Sequence, residues 1–144
     1  MESKIKHLEM IQSIIQRMAN NSFILKGWTV SLIVAIFALA DRMLNQSYFA
    51  FAYIPVITFW FLDAYYLQLE RKYVMLYNNV RKENTIDFNL NIDKITYKKN
   101  KNKNLKYINC LFSTSEWLFY IPIAILLSVI FRKEIIILLN IPKL

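Results

Sequence analysis

Residues 23–40 read FILKGWTVSLIVAIFALA, bounded on the far side by Asp41 and Arg42. The stretch is apolar or small throughout apart from Lys26. A helix of eighteen residues covers about 27 Å at 1.5 Å per residue, close to the hydrocarbon thickness of a bilayer. Trp28 lies where an interfacial aromatic belongs. The reading is a transmembrane helix in which Lys26 must either snorkel to the boundary or find a partner. Residues 41–47 then form a short polar turn, and YFAFAYIPVITFWFL returns the chain over residues 48–62. The two spans form a hairpin.

The composition agrees with that reading. Over 144 residues, 56% are hydrophobic and 15% aromatic, more apolar content than one soluble core of this size requires. One Gly and three Pro leave little turn chemistry, so long helices are expected. The single Cys110 has no cysteine to pair with and no CxxC or histidine neighbour, so neither a secreted disulfide scaffold nor a zinc site is supported. A cleavable signal peptide is not expected, because some twenty residues precede the first apolar run and are not a short basic leader.

Upstream of the first span, Ile5, Leu8, Ile11, Ile15 and Met18 recur at spacings of three and four among charged and amide side chains, predicting an amphipathic helix. It would lie on the membrane surface or pack against a partner helix. Downstream of Asp63, Leu69, Tyr73, Leu76 and Val80 keep helical spacing with no Gly or Pro up to Lys82, so the second span continues into water as a helix. Its apolar stripe suits a coiled-coil or subunit contact. Residues 85–97, TIDFNLNIDKITY, alternate instead. That predicts a short strand, which needs a partner or lies along a helix. The run KKNKNKNLK over 98–106 reads as a basic loop. Residues 117–131, WLFYIPIAILLSVIF, form a third apolar block with Pro122 near its start, expected to be a third span, with a re-entrant or interfacial helix as the alternative.

The predicted fold is therefore an all-α membrane protein in four parts: an amphipathic helix (1–22), a transmembrane hairpin (23–69), a cytoplasmic basic region (70–116), and a third transmembrane or re-entrant helix with a tail (117–144). The net charge of +8 is concentrated in one place: ten Lys or Arg lie between Leu69 and Trp117, against Arg42 alone in the 41–47 turn. Basic residues stay on the cytoplasmic side. The chain is expected in a bacterial inner membrane with its N-terminus cytoplasmic.

Lys26 and Asp63 are charges within apolar spans, and an intramembrane charge is a functional hypothesis by default. In an antiparallel hairpin both stand roughly 21–23 Å from the outer turn, so they are able to meet and act as a latch or gating pair. The alternative is that both snorkel to the headgroups. Aromatics crowd the second span, and Trp60, Tyr65 and Tyr66, with Glu70 and Arg71 just beyond them, are candidates for a pore constriction or subunit interface, against a belt of lipid contacts. Lys98, Lys99, Lys101, Lys103 and Lys106 are candidates for an anionic headgroup or a nucleotide or oligonucleotide ligand, against a merely solvated loop. Catalytic sets and phosphate loops are absent from the sequence, and no cofactor or metal is expected: His7 and Glu9, two apart, face different sides of a helix.

Three stretches together carry a resemblance: LKGWTVSLIVAIFALA from Leu25, FWFLDAYYLQLERKYVMLY from Phe59 and SEWLFYIPIAIL from Ser115. The chain resembles a family of small bacterial multi-helix membrane proteins. WFLDAYYLQLER is the most specific part, matching at Trp60, Asp63, Tyr65, Tyr66, Glu70 and Arg71. In layout such proteins are similar to membrane effectors of anti-phage defence systems. The resemblance implies an oligomeric, channel-like effector regulated through its basic cytoplasmic region by a soluble protein or a nucleotide ligand. The other reading is a non-conducting membrane anchor that recruits a cytosolic partner.

Overall fold

The computed structural model describes residues 2–43, 51–82, 87–92 and 105–130. Among them the chain is helical: α1 (Glu2–Met43), α2 (Tyr53–Lys82), the single-turn α3 (Tyr107–Leu111) and α4 (Thr114–Ile130). The expected 98–104 part of the basic run and the tail beyond 130 lie outside the described residues, as does the polar turn from residue 44 onward.

The predicted amphipathic helix and first span are one rod. α1 runs unbroken through Asn20, Asn21, Ser22 and Gly27 for 42 residues, about 63 Å. No helix break falls at residue 22, where the amphipathic part passes into the apolar part. The amide and hydroxyl side chains at 20–22 resemble a cap, but a helix already propagating on both sides passes through them at small cost. Within its apolar half the hydroxyls bond back to the helix, Thr29 Oγ1 donating to the Leu25 carbonyl (2.8 Å) and Ser31 Oγ to that of Gly27 (2.9 Å). Such back-bonding lets polar side chains sit in an apolar stretch.

α2 takes up Pro55 in its first turn, where the missing N–H costs no helical bond. It continues without interruption past Asp63 to Lys82, so the apolar first half and the charged second half form one helix. The two long helices are antiparallel along their length: the Lys4 ammonium donates to the Arg81 carbonyl (2.9 Å), Ile11 packs with Leu76 and Val80, and Ile33, Ile36 and Phe37 pack near Ala52 and Val56. α4 runs antiparallel to α2 on another side. Tyr120 and Leu127 close the core with Ala52 and Val56, and the Tyr53 and Ser128 hydroxyls bond at 2.9 Å. α2 is the central helix, and α1 and α4 flank it.

Two expectations are resolved here. The stripe of residues 5–18, expected on the membrane surface or against a partner helix, takes the second course, and its partner is the 69–80 stripe that was expected to suit a coiled-coil or subunit contact: the two cover each other within one chain, with Leu8, Ile15, Tyr73 and Tyr77 around Ile11, Leu76 and Val80. Residues 87–92 are the described part of the predicted 85–97 strand, the rest lying outside the described residues, and they are not in a strand. Their alternating polar side chains serve their own backbone: the Asn89 N–H donates to Asp87 Oδ1 (3.0 Å) and the Asn91 N–H to Asn89 Oδ1 (2.9 Å). These local bonds compete with a ladder. Leu90 and Ile92 lie along the helix pair, and Phe88, at φ 50°, covers the buried His7 ring at 5.3 Å.

Among the described residues α1 is the one helix long and apolar enough to cross a membrane, with only 11% of its apolar window buried. α4 is apolar but shorter, at 17 residues. Phe23, Trp28, Val34 and Leu39 of α1, Ile54 and Phe61 of α2, and Leu118, Ile125 and Val129 of α4 all face outward.

Candidate functional site: the charged junction of three helices

Lys26 projects from α1 into the place where α2 and the first turn of α4 converge. An ammonium has three donors and no acceptor. Here its neighbours are Ser22 Oγ (3.0 Å) one turn earlier, Asp63 Oδ2 on α2, and Glu116 Oε1 (3.4 Å) on α4. The side chain is 19% exposed, whereas those of Asp63 and Glu116 are 0% and 1% exposed. The ammonium is therefore turned inward to the carboxyls, with the Phe119 ring 5.8 Å away on one side. A cation in this position draws on both the ion pairs and the ring face.

Asp63 Oδ2 also accepts from the Tyr120 hydroxyl at 3.1 Å. The second oxygen of each acid, Asp63 Oδ1 and Glu116 Oε2, is buried with no hydrogen-bond partner among the described residues. Sequence spacing brought Lys26 and Asp63 to one depth, and the structure joins them. It adds Glu116, which that reading left out by beginning the third apolar block at Trp117, and Tyr120, which lay inside the block with nothing local to mark its hydroxyl as a partner of Asp63. The signal was present: Glu116 is an acid one residue ahead of a long apolar run. α4 places it in the first turn, where a carboxylate is favoured by the helix dipole.

The other predicted residues are distributed around this junction. Trp60 is half-buried and lies against protein on one side: its ring stacks on Tyr120 (6.2 Å, 18°), meets Phe112 edge-on (6.1 Å), and its Nε1–H donates to the Leu111 carbonyl (3.0 Å). Arg71 donates to Ser113 Oγ (2.8 Å) and Cys110 Sγ (3.6 Å), Gln68 to the Leu105 carbonyl (2.8 Å), and Tyr107 to the Phe61 carbonyl (2.9 Å). Together these bonds fix residues 105–113 along α2, and so set where α4 begins. Tyr65 is exposed and touches half-buried Tyr66 ring-to-edge (5.9 Å), away from the cluster. Glu70 is half-buried one turn beyond Tyr66; burial pushes its carboxyl above the usual 4.5, against the pull of Arg71 and Lys26. Burial likewise raises the Cys110 thiol, opposed by Arg71. A buried thiol of this kind is an unreactive packing group.

Of the basic candidates, Lys106 is exposed just before α3, and its carbonyl accepts from the Asn109 and Cys110 N–H groups (3.0 and 3.2 Å). Lys98, Lys99, Lys101 and Lys103 lie outside the described residues. Among the described residues no group of three His, Cys, Asp or Glu side chains is placed to hold a metal ion.

Comparison of the chain with protein-family models, with curated proteins and with solved structures finds no match.

Proposed function

We propose that the chain is an integral protein of the bacterial cytoplasmic membrane, and that copies of its helix bundle assemble into a channel-like effector held closed by the Lys26–Asp63–Glu116 cluster. The observation that carries this reading is the junction itself. Three charged side chains converge from three helices in a bundle whose surrounding surface, from Phe23 to Leu39 and from Leu118 to Val129, is apolar and turned outward. In water such a surface would aggregate; in lipid it is the natural exterior. Intramembrane charges face the bundle interior and pair with one another, and they mark the parts of membrane proteins that move or conduct.

In this reading the apolar half of α1, the first half of α2 and α4 cross the bilayer, with the cluster near the cytoplasmic boundary set by the basic 70–106 region. Three short spans enclose no pore, so conduction requires several copies, for which cyclic symmetry is the usual arrangement. Because the extramembrane stripes are covered within the chain, contacts between copies fall to the outward apolar faces. Opening would separate α4 from the α1–α2 pair and break the cluster. A soluble protein or an anionic nucleotide acting at the basic region is the proposed trigger.

Ion flux into liposomes is the test. Reconstituted protein is expected to pass ions, and Lys26→Gln or Asp63→Asn to change the fraction of time open. Absence of flux at every condition in which the protein is folded and inserted would remove the channel and leave the anchor reading. One observation favours that second reading: Trp60, Gln68, Arg71 and Tyr107 bolt residues 105–113 to α2, making the cytoplasmic end a fixed platform suited to docking a partner.

A further inference from the structure

The cluster has a remainder of charge. One ammonium faces two carboxyl groups, and Lys26 already has three acceptors around its three donors. Asp63 Oδ2 and Glu116 Oε1 both bear on that one ammonium, from opposite helices. Two ionised carboxylates against one ammonium would leave an unbalanced buried negative charge, which a proton on one of them removes. The unpartnered oxygens, Asp63 Oδ1 and Glu116 Oε2, belong to these same two groups, both nine-tenths or more buried.

Among the described residues, no second cation is in contact with the two carboxyls. α1 contributes Lys26 and the neutral Ser22 and Thr29. α2 contributes Asp63, then Glu70, Arg71 and Lys72 further along; Arg71 bonds Ser113 and Cys110 and acts on Glu70, and Lys72 acts on Cys110. α3 brings Cys110, and α4 brings Glu116 and Tyr120, whose hydroxyl donates to Asp63.

We propose that this junction is a proton-binding site, in which a single exchangeable proton shared by the Asp63 and Glu116 carboxyls completes the Lys26 pair and holds α4 to α2. With the proton bound, the site contains one ammonium, one carboxylate and one carboxylic acid, and is neutral. When a solvent base removes it, two carboxylates share one ammonium. The excess negative charge is divided between α2 and α4, and its repulsion acts along the line that separates them. The proton belongs to the pair and not to either acid. This inference deepens the latch reading by naming what works it.

The test uses the full chain in lipid nanodiscs, with pH as the probe and two readouts. Infrared difference spectra report a protonated carboxyl, and Trp60 fluorescence, read in a Trp28→Phe, Trp117→Phe background, reports the contact with Tyr120. The expected result is one carboxylic-acid band lost in a single step as pH rises, with Trp60 emission changing in the same step. Glu116→Gln is expected to lose both band and step while Trp60 keeps its acid-side emission. Should that variant not fold, Asp63→Asn is expected to lose the band likewise. A folded wild-type chain with no carboxylic-acid band at any pH overturns the proposal, as does a Glu116→Gln protein that keeps the step. Flux measurements separate the two claims: a band without flux removes the channel and leaves the proton site, and flux without a band does the reverse.

Discussion

Lys26 and Asp63 are not equivalent partners, because Glu116 stands beside them. Replacing Lys26 by Met leaves two buried carboxyls with no cation, whereas Asp63→Asn leaves Lys26 paired to Glu116 and keeps an oxygen for Tyr120. Removing one partner of a buried pair typically costs about 3–5 kcal/mol. Lys26→Met should fall in that range, and Asp63→Asn at less than half of it, about 1–2 kcal/mol. Equilibrium unfolding in mixed micelles checks the order, and equal costs would mean that Glu116 does not take over. Glu70 gives a prediction of opposite sign. Burial raises its carboxyl above 4.5, so the folded chain binds this proton more tightly than the unfolded chain. Its contribution to stability is full below pH 4.5 and is lost as pH rises through the raised value. Glu70→Gln should therefore be more stable than wild type at neutral pH, with the difference vanishing in acid; thermal unfolding across that range reads it directly.

Elements were legible where a single periodicity persisted. The three- and four-residue spacing from Ile5 to Met18 and from Leu69 to Val80 specified helices, and the apolar run at 23–40 a third helical segment; all are helical here. The join between the first two was not legible, since Asn20–Asn21–Ser22 reads the same at a cap and inside a helix. Over 87–92 the alternation gives no strand but the expected alternative, a segment lying along the helices, because Asp and Asn at every second position offer side-chain acceptors to the backbone two residues on. Glu116 stands out locally as an acid just ahead of an apolar run, but its partner was hidden by distance, since the contact with Lys26 spans ninety residues of sequence. Two predictions belong at this scale. A Cβ added at Gly27 meets nothing within 4 Å, so Gly27→Ala should stabilise α1 by about 0.5–1 kcal/mol. A loss instead would show that another copy packs against that face. Leu76 is buried between α1 and α2 outside the apolar stretch, and Leu76→Ala should cost about 2–5 kcal/mol in the same unfolding assay. A cost near zero would mean that the two amphipathic stripes do not pack on each other.

At the scale of the molecule, an apolar core that includes Ile11, Leu76, Tyr120 and Leu127 is accompanied by buried charges and by large apolar side chains left outside. The deepest positions include Asp63, Glu116 and Thr29, while Phe23, Val34, Leu118 and Val129 are on the outside. A chain in water hides its large apolar side chains and solvates its charges; one in lipid has no such preference for burying apolar groups and must pair its charges internally. The most direct measurement of this account is depth. With Cys110 replaced by Ala, a nitroxide is attached to a cysteine introduced at Val34 on α1 or Ile125 on α4, and its accessibility to oxygen and to a water-soluble nickel complex is compared in nanodiscs. The account predicts that both sites favour oxygen strongly and lie at similar depth within the hydrocarbon. Access of the nickel complex at either site, matching that of an aqueous control position such as Lys6, would contradict it.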